Sequence, residues 1–393
     1  MQEFLERLTY RREEIATLLD RSKPNITKFD PELGWLFVNY LIKEGMDGSL
    51  TILNIESTGE RKRVNYADRP CRLNTYGDSF TQCNQVSDGE TWQEKLAAHL
   101  GEPIRNFGVG GYGVYQAYRR MLREESTRSA AEYLILNIWG DDDHLRSIDA
   151  WQWLRLGERL RDTTYGRYRF AVPWTYARLN LDTGEIDEKA NPFPTPESLY
   201  KLTDKEYVVQ TFENDLVVQF LTAERGGSGV NLKNLKQLAE SLEVVADFSS
   251  REATSRTAYS LHNQYALRVS MRVVERAQAF AREKKKKLMI LLSYGGDNVI
   301  RACEGFPRPD QEFVDWLRDQ GIQFVDVLEK HRADFLAFHV APRAYVDRYY
   351  IGHYNPLGNH FFAFAIKDAV VGWLDPRPLT YRGSGPFGTV SPL

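Results

Sequence analysis

From residue 72 onward, short apolar runs alternate with amphipathic stretches. Arg72–Tyr76, Ile104–Phe107, Tyr133–Trp139, Leu288–Leu292 and Phe324–Leu328 have the length of strands. The third is apolar almost throughout, as expected of a strand covered on both faces. Thr91–Leu100, Tyr115–Glu124, residues 258–283, Phe313–Gln320 and Phe361–Leu374 carry a helical period. In the longest of these, Leu261, Tyr265, Val269, Val273 and Ala277 recur along one face. Alternation of this kind predicts an α/β fold: a five-stranded parallel sheet with helices on both faces.

Two regions depart from the alternation. Residues 1–70 read as an N-terminal helix over 3–20 followed by a partly β lead-in, marked by the turn signals Pro24-Asn25, Asp30-Pro31 and Asp47-Gly48. Residues 141–257 interrupt the strand–helix order. They hold Trp151, Trp153 and Trp174, a hairpin signal over Leu179–Ile186, a proline cluster (Pro192, Pro194, Pro196) and a glycine run (Gly226-Gly227-Ser228-Gly229). A structureless loop of that length is uncommon, so the segment is expected to be an inserted cap. The main domain then comprises 71–140 and 258–375. Residues 376–393 form a C-terminal tail, expected to be mobile over its Gly, Ser and Pro-rich end, 383–393.

Composition narrows the function. The chain has 393 residues, 42% hydrophobic and 27% charged, enough for a large core. A net charge of −3 gives no field to attract nucleic acid. Lys284–Lys287 reads as the solvated C-terminal end of a helix. Cys71, Cys83 and Cys303 are too few, and odd in number, for a disulfide framework. Neither an apolar leader nor a run of roughly 18 apolar residues is present, so a cytoplasmic protein with no membrane partner is expected.

The candidate chemistry sits at strand ends. Gly77-Asp78-Ser79-Phe80-Thr81 follows the first strand, where a serine is held rigidly and beside backbone N–H groups. The ordinary alternative for such a serine is a helix cap. Asn106-Phe107-Gly108-Val109-Gly110-Gly111-Tyr112-Gly113 follows the second strand, and its glycines let backbone amides approach an oxyanion, a phosphate or simply a tight turn. Trp139-Gly140-Asp141-Asp142-Asp143-His144 follows the third. Neighbouring residues in an extended segment point alternately, which argues against one ion shared by three acids, and no metal or other cofactor is expected. Tyr350-Ile351-Gly352-His353-Tyr354-Asn355-Pro356-Leu357-Gly358-Asn359-His360 precedes the closing helix. His353 in the turn suits a general base, whereas His360 begins the helix and reads as a packed or surface residue.

These four blocks, in this order, resemble the SGNH (GDSL-type) hydrolases over residues 72–140 and 258–374. Phe29-Asp30-Pro31-Glu32-Leu33-Gly34-Trp35 is also similar to a lead-in found before this domain in some bacterial members. The resemblance implies a flavodoxin-like three-layer α/β/α fold, Ser79 as nucleophile, His353 as base, and the Ser79 and Gly111 amides as oxyanion donors. Two positions depart from the pattern. The oxyanion asparagine falls on Asp141, and a carboxylate donates only when protonated. The acid that precedes the histidine is replaced by Tyr350 and Ile351, leaving Asp347 as the nearest upstream carboxylate, or else a Ser–His dyad.

The expected activity is ester hydrolysis through an acyl-enzyme on Ser79. The expected substrate is a small-molecule or oligosaccharide ester losing an acetyl or similar small acyl group, with Trp151, Trp153 and Trp174 either stacking on sugar or forming cap core. The alternatives are acetyl transfer by the same pair, and a repurposed domain that binds or cleaves a glycan without acyl chemistry.

Overall fold

The computed structural model describes residues 1–22, 25–156 and 172–382. Its centre is a parallel sheet of five strands: β5 (Leu73–Tyr76), β6 (Arg105–Asn106), β7 (Tyr133–Trp139), β10 (Lys287–Ser293) and β11 (Phe324–Asp326), in the order β11-β10-β7-β5-β6. The middle strand, β7, pairs with β10 from Tyr133↔Lys287 to Trp139↔Ser293. Its Leu134, Ile135, Leu136 and Ile138 are fully buried, the reason its sequence lacks the alternation of a one-sided strand.

The chain runs from β5 outward to β6 and then returns to the other side of β5 to form β7. In open parallel sheets such a reversal leaves a crevice at the carboxyl ends of the diverging strands. Ser79 follows β5 and Asp141 follows β7, so both flank that crevice.

Helix Val114–Glu124 packs on β5 and β7, and helix Arg251–Glu283 on β10 and on helix Asp142–Ile148. Helix Pro356–Trp373 packs on helix Trp92–Leu100. Before the sheet, two antiparallel pairs form the β lead-in: β1 (Thr27–Asp30) with β2 (Gly34–Phe37), and β3 (Tyr40–Lys43) with β4 (Leu50–Leu53). Segment 141–257 contributes the hairpin β8 (Tyr176–Leu179) and β9 (Ile186–Lys189), plus short helices including Lys205–Phe212, Leu216–Glu224 and Leu232–Ser241.

Several boundaries differ from expectation for local reasons. The N-terminal helix is two, Gln2–Arg7 and Arg12–Leu19, divided where Tyr10 N–H donates to Leu202 O at 2.9 Å. The last strand stops at Asp326, whose carboxylate accepts from Leu328 N at 3.0 Å and starts helix Val327–Phe338. The closing helix begins at Pro356 because Asn355 caps Gly358 N at 2.8 Å, which puts His360 inside it. The expected tail is held at its start: Leu379 N donates to Glu102 and Thr380 Oγ1 to His99 O. The remainder, 383–393, lies outside the described residues. Among the described residues, no helix is long and apolar enough to cross a membrane.

Candidate active site

Ser79 is placed by a crowded turn. A Cβ on Gly77 would stand 2.1 Å from Thr81 Oγ1 and 2.5 Å from the Asn137 carbonyl, so only glycine fits there. Asp78 caps the four-residue helix Ser79–Gln82 by accepting from Phe80 N at 2.9 Å. Ser79 follows at the first helical position, 6% exposed.

His353 reaches the same rim from the loop between helices Pro342–Tyr349 and Pro356–Trp373. Its carbonyl accepts from Ile351 N at 2.9 Å, and Asn355 N–H donates to Tyr349 O at 2.8 Å, closing the loop. Its Nε2 stands 2.8 Å from Ser79 Oγ, and Phe80 packs against its ring with centroids 5.0 Å apart. Underneath lies His331, fully buried, bonded to Tyr345 OH at 3.0 Å, Tyr354 OH at 2.8 Å and Tyr350 OH at 3.1 Å. Burial pushes the His331 ring down to about 3, so it is neutral and pins the tyrosines on either side of His353.

The group facing Nδ1 is not Asp347. That carboxylate is solvent-exposed on helix Pro342–Tyr349 and pairs with Arg343 Nε at 2.9 Å, one turn away. Gln85 takes the place: its Oε1 lies 3.4 Å from His353 Nδ1 and accepts the His353 backbone N–H at 2.7 Å. Sequence reasoning missed Gln85 because it comes from the Ser79 side, 268 positions from His353.

In the block after β6, Gly111 has φ +88°, a conformation glycine adopts without strain. Its turn is tied to the Ser79 helix, since Gly110 N donates to Gln82 Oε1 at 2.9 Å. A Cβ on Gly108 would meet Gln82 N at 2.2 Å, which accounts for the first glycine of the block. Asp141 lies at the protein surface with its carboxyl group partly covered, and Asn298 Nδ2 donates to its Oδ2 at 3.3 Å. Partial burial pushes the Asp141 carboxyl above its usual range, with Asp142 adding to it and the Asn298 bond opposing. Asn298 stands in the first turn of helix Gly296–Cys303, which follows β10.

The three acids after β7 diverge. Asp143 accepts from Trp139 N at 2.9 Å, and Asp142 pairs with Arg146 and Arg155. Burial opposes ionisation of Asp142, but the two guanidiniums overcome it and hold the carboxyl down at about 2. Asp78 and Asp143 lie beside Ser79 and Trp139, respectively. Burial raises Asp78 to about 6 despite Arg146 and the Phe80 amide, and raises Asp143 well above the usual range, with the Asp78 charge second. Among the described residues, no cluster of three or more His, Cys, Asp or Glu could hold a metal ion.

Trp151, Trp153 and Trp174 are buried, not presented to substrate. Trp151 and Trp153 stack at 5.6 Å, Trp153 meets Tyr10 at 4.5 Å, and Trp174 meets Trp35 edge-on at 5.2 Å. They bind segment 141–257 to the N-terminal residues, and a side chain without exposed surface cannot stack on a sugar ring. A groove of about 600 Å³ along 236–249 shares no lining residue with the Ser79–His353 pair.

No protein-family model matches the chain, and no curated protein matches it.

Proposed function

We propose that the protein is a serine ester hydrolase of the SGNH type, on a flavodoxin-like three-layer fold with segment 141–257 as an inserted cap. The observation that carries the reading is the 2.8 Å approach of His353 Nε2 to Ser79 Oγ at the carboxyl edge of the sheet. Nucleophile and base within hydrogen-bond reach, with the base held by a third group, is the arrangement acyl transfer needs.

His353 takes the hydroxyl proton as Oγ attacks the ester carbonyl. The Ser79 and Gly111 amides receive the developing oxyanion, a contribution of about 3 kcal/mol per well-placed donor. His353 then gives the proton to the departing alkoxide, and water repeats the sequence in reverse to free the acyl group. The acyl group proposed is small, acetyl foremost. Burial of Trp151, Trp153 and Trp174 removes the aromatic platform on which a carbohydrate alcohol was expected.

Turnover of p-nitrophenyl acetate by wild type, Ser79→Ala and His353→Ala tests the reading. Both variants should lose about 10³-fold or more in kcat with folding intact. Equal rates in wild type and Ser79→Ala would refute it.

A further inference from the structure

Gln85 meets His353 twice through one atom, its Oε1, at the backbone N–H and at Nδ1. Chemistry fixes which end of the amide is involved. A backbone N–H only donates, so the group facing it at 2.7 Å is the carbonyl oxygen. That oxygen only accepts, so the Nδ1 beside it carries the proton of the neutral imidazole. Nε2 is left with its lone pair toward Ser79 Oγ.

The surroundings hold the amide in this position. Gln85 itself has φ +70°, an uncommon conformation for a side chain of its size. The buried Arg61 guanidinium donates to the carbonyls of Gln82 at 2.6 Å, Cys83 at 2.9 Å and Val86 at 2.5 Å, gripping the chain on both sides of Gln85. From the other side, Gly352 has φ +112°, and a Cβ there would stand 2.9 Å from Gln85 Oε1. Asp78 meets the pair from the nucleophile's side, 3.3 Å from Ser79 Oγ.

We propose that Gln85 is the positioning residue of the pair, setting the His353 tautomer and ring orientation where a carboxylate would ordinarily stand; this rests on the reading of Ser79 and His353 as nucleophile and base. During acylation the proton moves from Ser79 Oγ to Nε2 and on to the leaving alkoxide, while the Nδ1 proton stays against Gln85 Oε1. A neutral amide orients the ring without adding a counter-charge to the imidazolium, as asparagine does in Cys-His-Asn proteases.

The test uses the full chain, with Gln85→Ala and the nearly isosteric Gln85→Glu. p-Nitrophenyl acetate kinetics are followed from about pH 5 to pH 9, alongside fluorophosphonate labelling of Ser79. Gln85→Ala should lower kcat by about 10²-fold with KM little changed, the effect of a misoriented base. Gln85→Glu should recover the rate and move the acidic limb of kcat/KM upward by about one pH unit, because a carboxylate favours the charged imidazole. A side chain that only fills space away from Nδ1 would produce neither that shift nor the rescue of the rate lost in Gln85→Ala. If Gln85→Ala does not fold, the Glu variant carries the test alone. A labelled wild type with unchanged kinetics in Gln85→Ala, or an unmoved acidic limb in Gln85→Glu, overturns the positioning role and leaves the Ser79 reading standing. A wild type that neither turns over nor labels overturns both.

Discussion

Asn298 Nδ2 stands 3.3 Å from Asp141 Oδ2, and Trp139 Nε1 donates to the same amide's oxygen at 3.4 Å. The indole N–H can only donate, so it fixes the amide with its NH2 toward the carboxylate. This edge of the crevice therefore holds an amide donor in the helix after β10 and a carboxyl group just after β7.

A negative charge beside a developing oxyanion opposes it. Asp141→Asn should raise kcat toward p-nitrophenyl acetate by up to about 10-fold at pH 8, the gain falling as the pH drops and wild-type Asp141 protonates. Steady-state kinetics across pH check this; a slower variant would place Asp141 outside the oxyanion's reach.

Trp153 is buried against Trp151 and Tyr10, so its loss is a packing loss. Trp153→Ala should cost about 3–5 kcal/mol of stability by denaturant titration. KM of the protein that remains folded should stay within about twofold, whereas a substrate-stacking tryptophan would raise it.

Asp78 gives a pH signature of definite sign. Burial raises its carboxyl from 3.8 to about 6, so the folded chain holds that proton more tightly than the unfolded one. Its contribution is therefore favourable at low pH and is lost as pH climbs from about 4 through 6. Asp78→Asn keeps an acceptor for the Phe80 amide and abolishes the titration. The melting temperature of wild type relative to Asp78→Asn should fall between about pH 4 and pH 7; a constant difference would contradict the assignment.

Arg61 couples stability to the site. It is buried, pairs with Asp88 at 2.9 Å and donates to three carbonyls around Gln85. Arg61→Ala leaves Asp88 buried without its cation and should cost about 3–5 kcal/mol, measured by urea unfolding. Activity should fall further than Asp88→Asn causes, because the segment carrying Gln85 loosens.

The sheet was legible because each strand's burial is written into its composition: β7 has the boundaries its apolar run predicts, and β10 differs by one residue at each end. The Ser79 and His353 blocks were legible because their glycine and asparagine residues serve close approaches that tolerate little else, at Gly77 and at the Asn355 cap. Gln85 and Asn298 were not legible. Each acts through a contact between segments far apart in the chain, and a glutamine in a turn or an asparagine in the first turn of a helix carries no local mark of such a partner. The tryptophans were left open between sugar stacking and core because an aromatic's sequence context does not say which side of a segment faces the core; the packing against Tyr10 and Trp35 decides for the core.

The central claim is that Ser79 is an activated nucleophile, and the direct measurement is intact-mass and peptide analysis after reaction with a fluorophosphonate at pH 8. The account predicts one adduct, on Ser79, abolished in Ser79→Ala and slowed at least about 100-fold in His353→Ala. No adduct on wild type, or one that persists in Ser79→Ala, would contradict it.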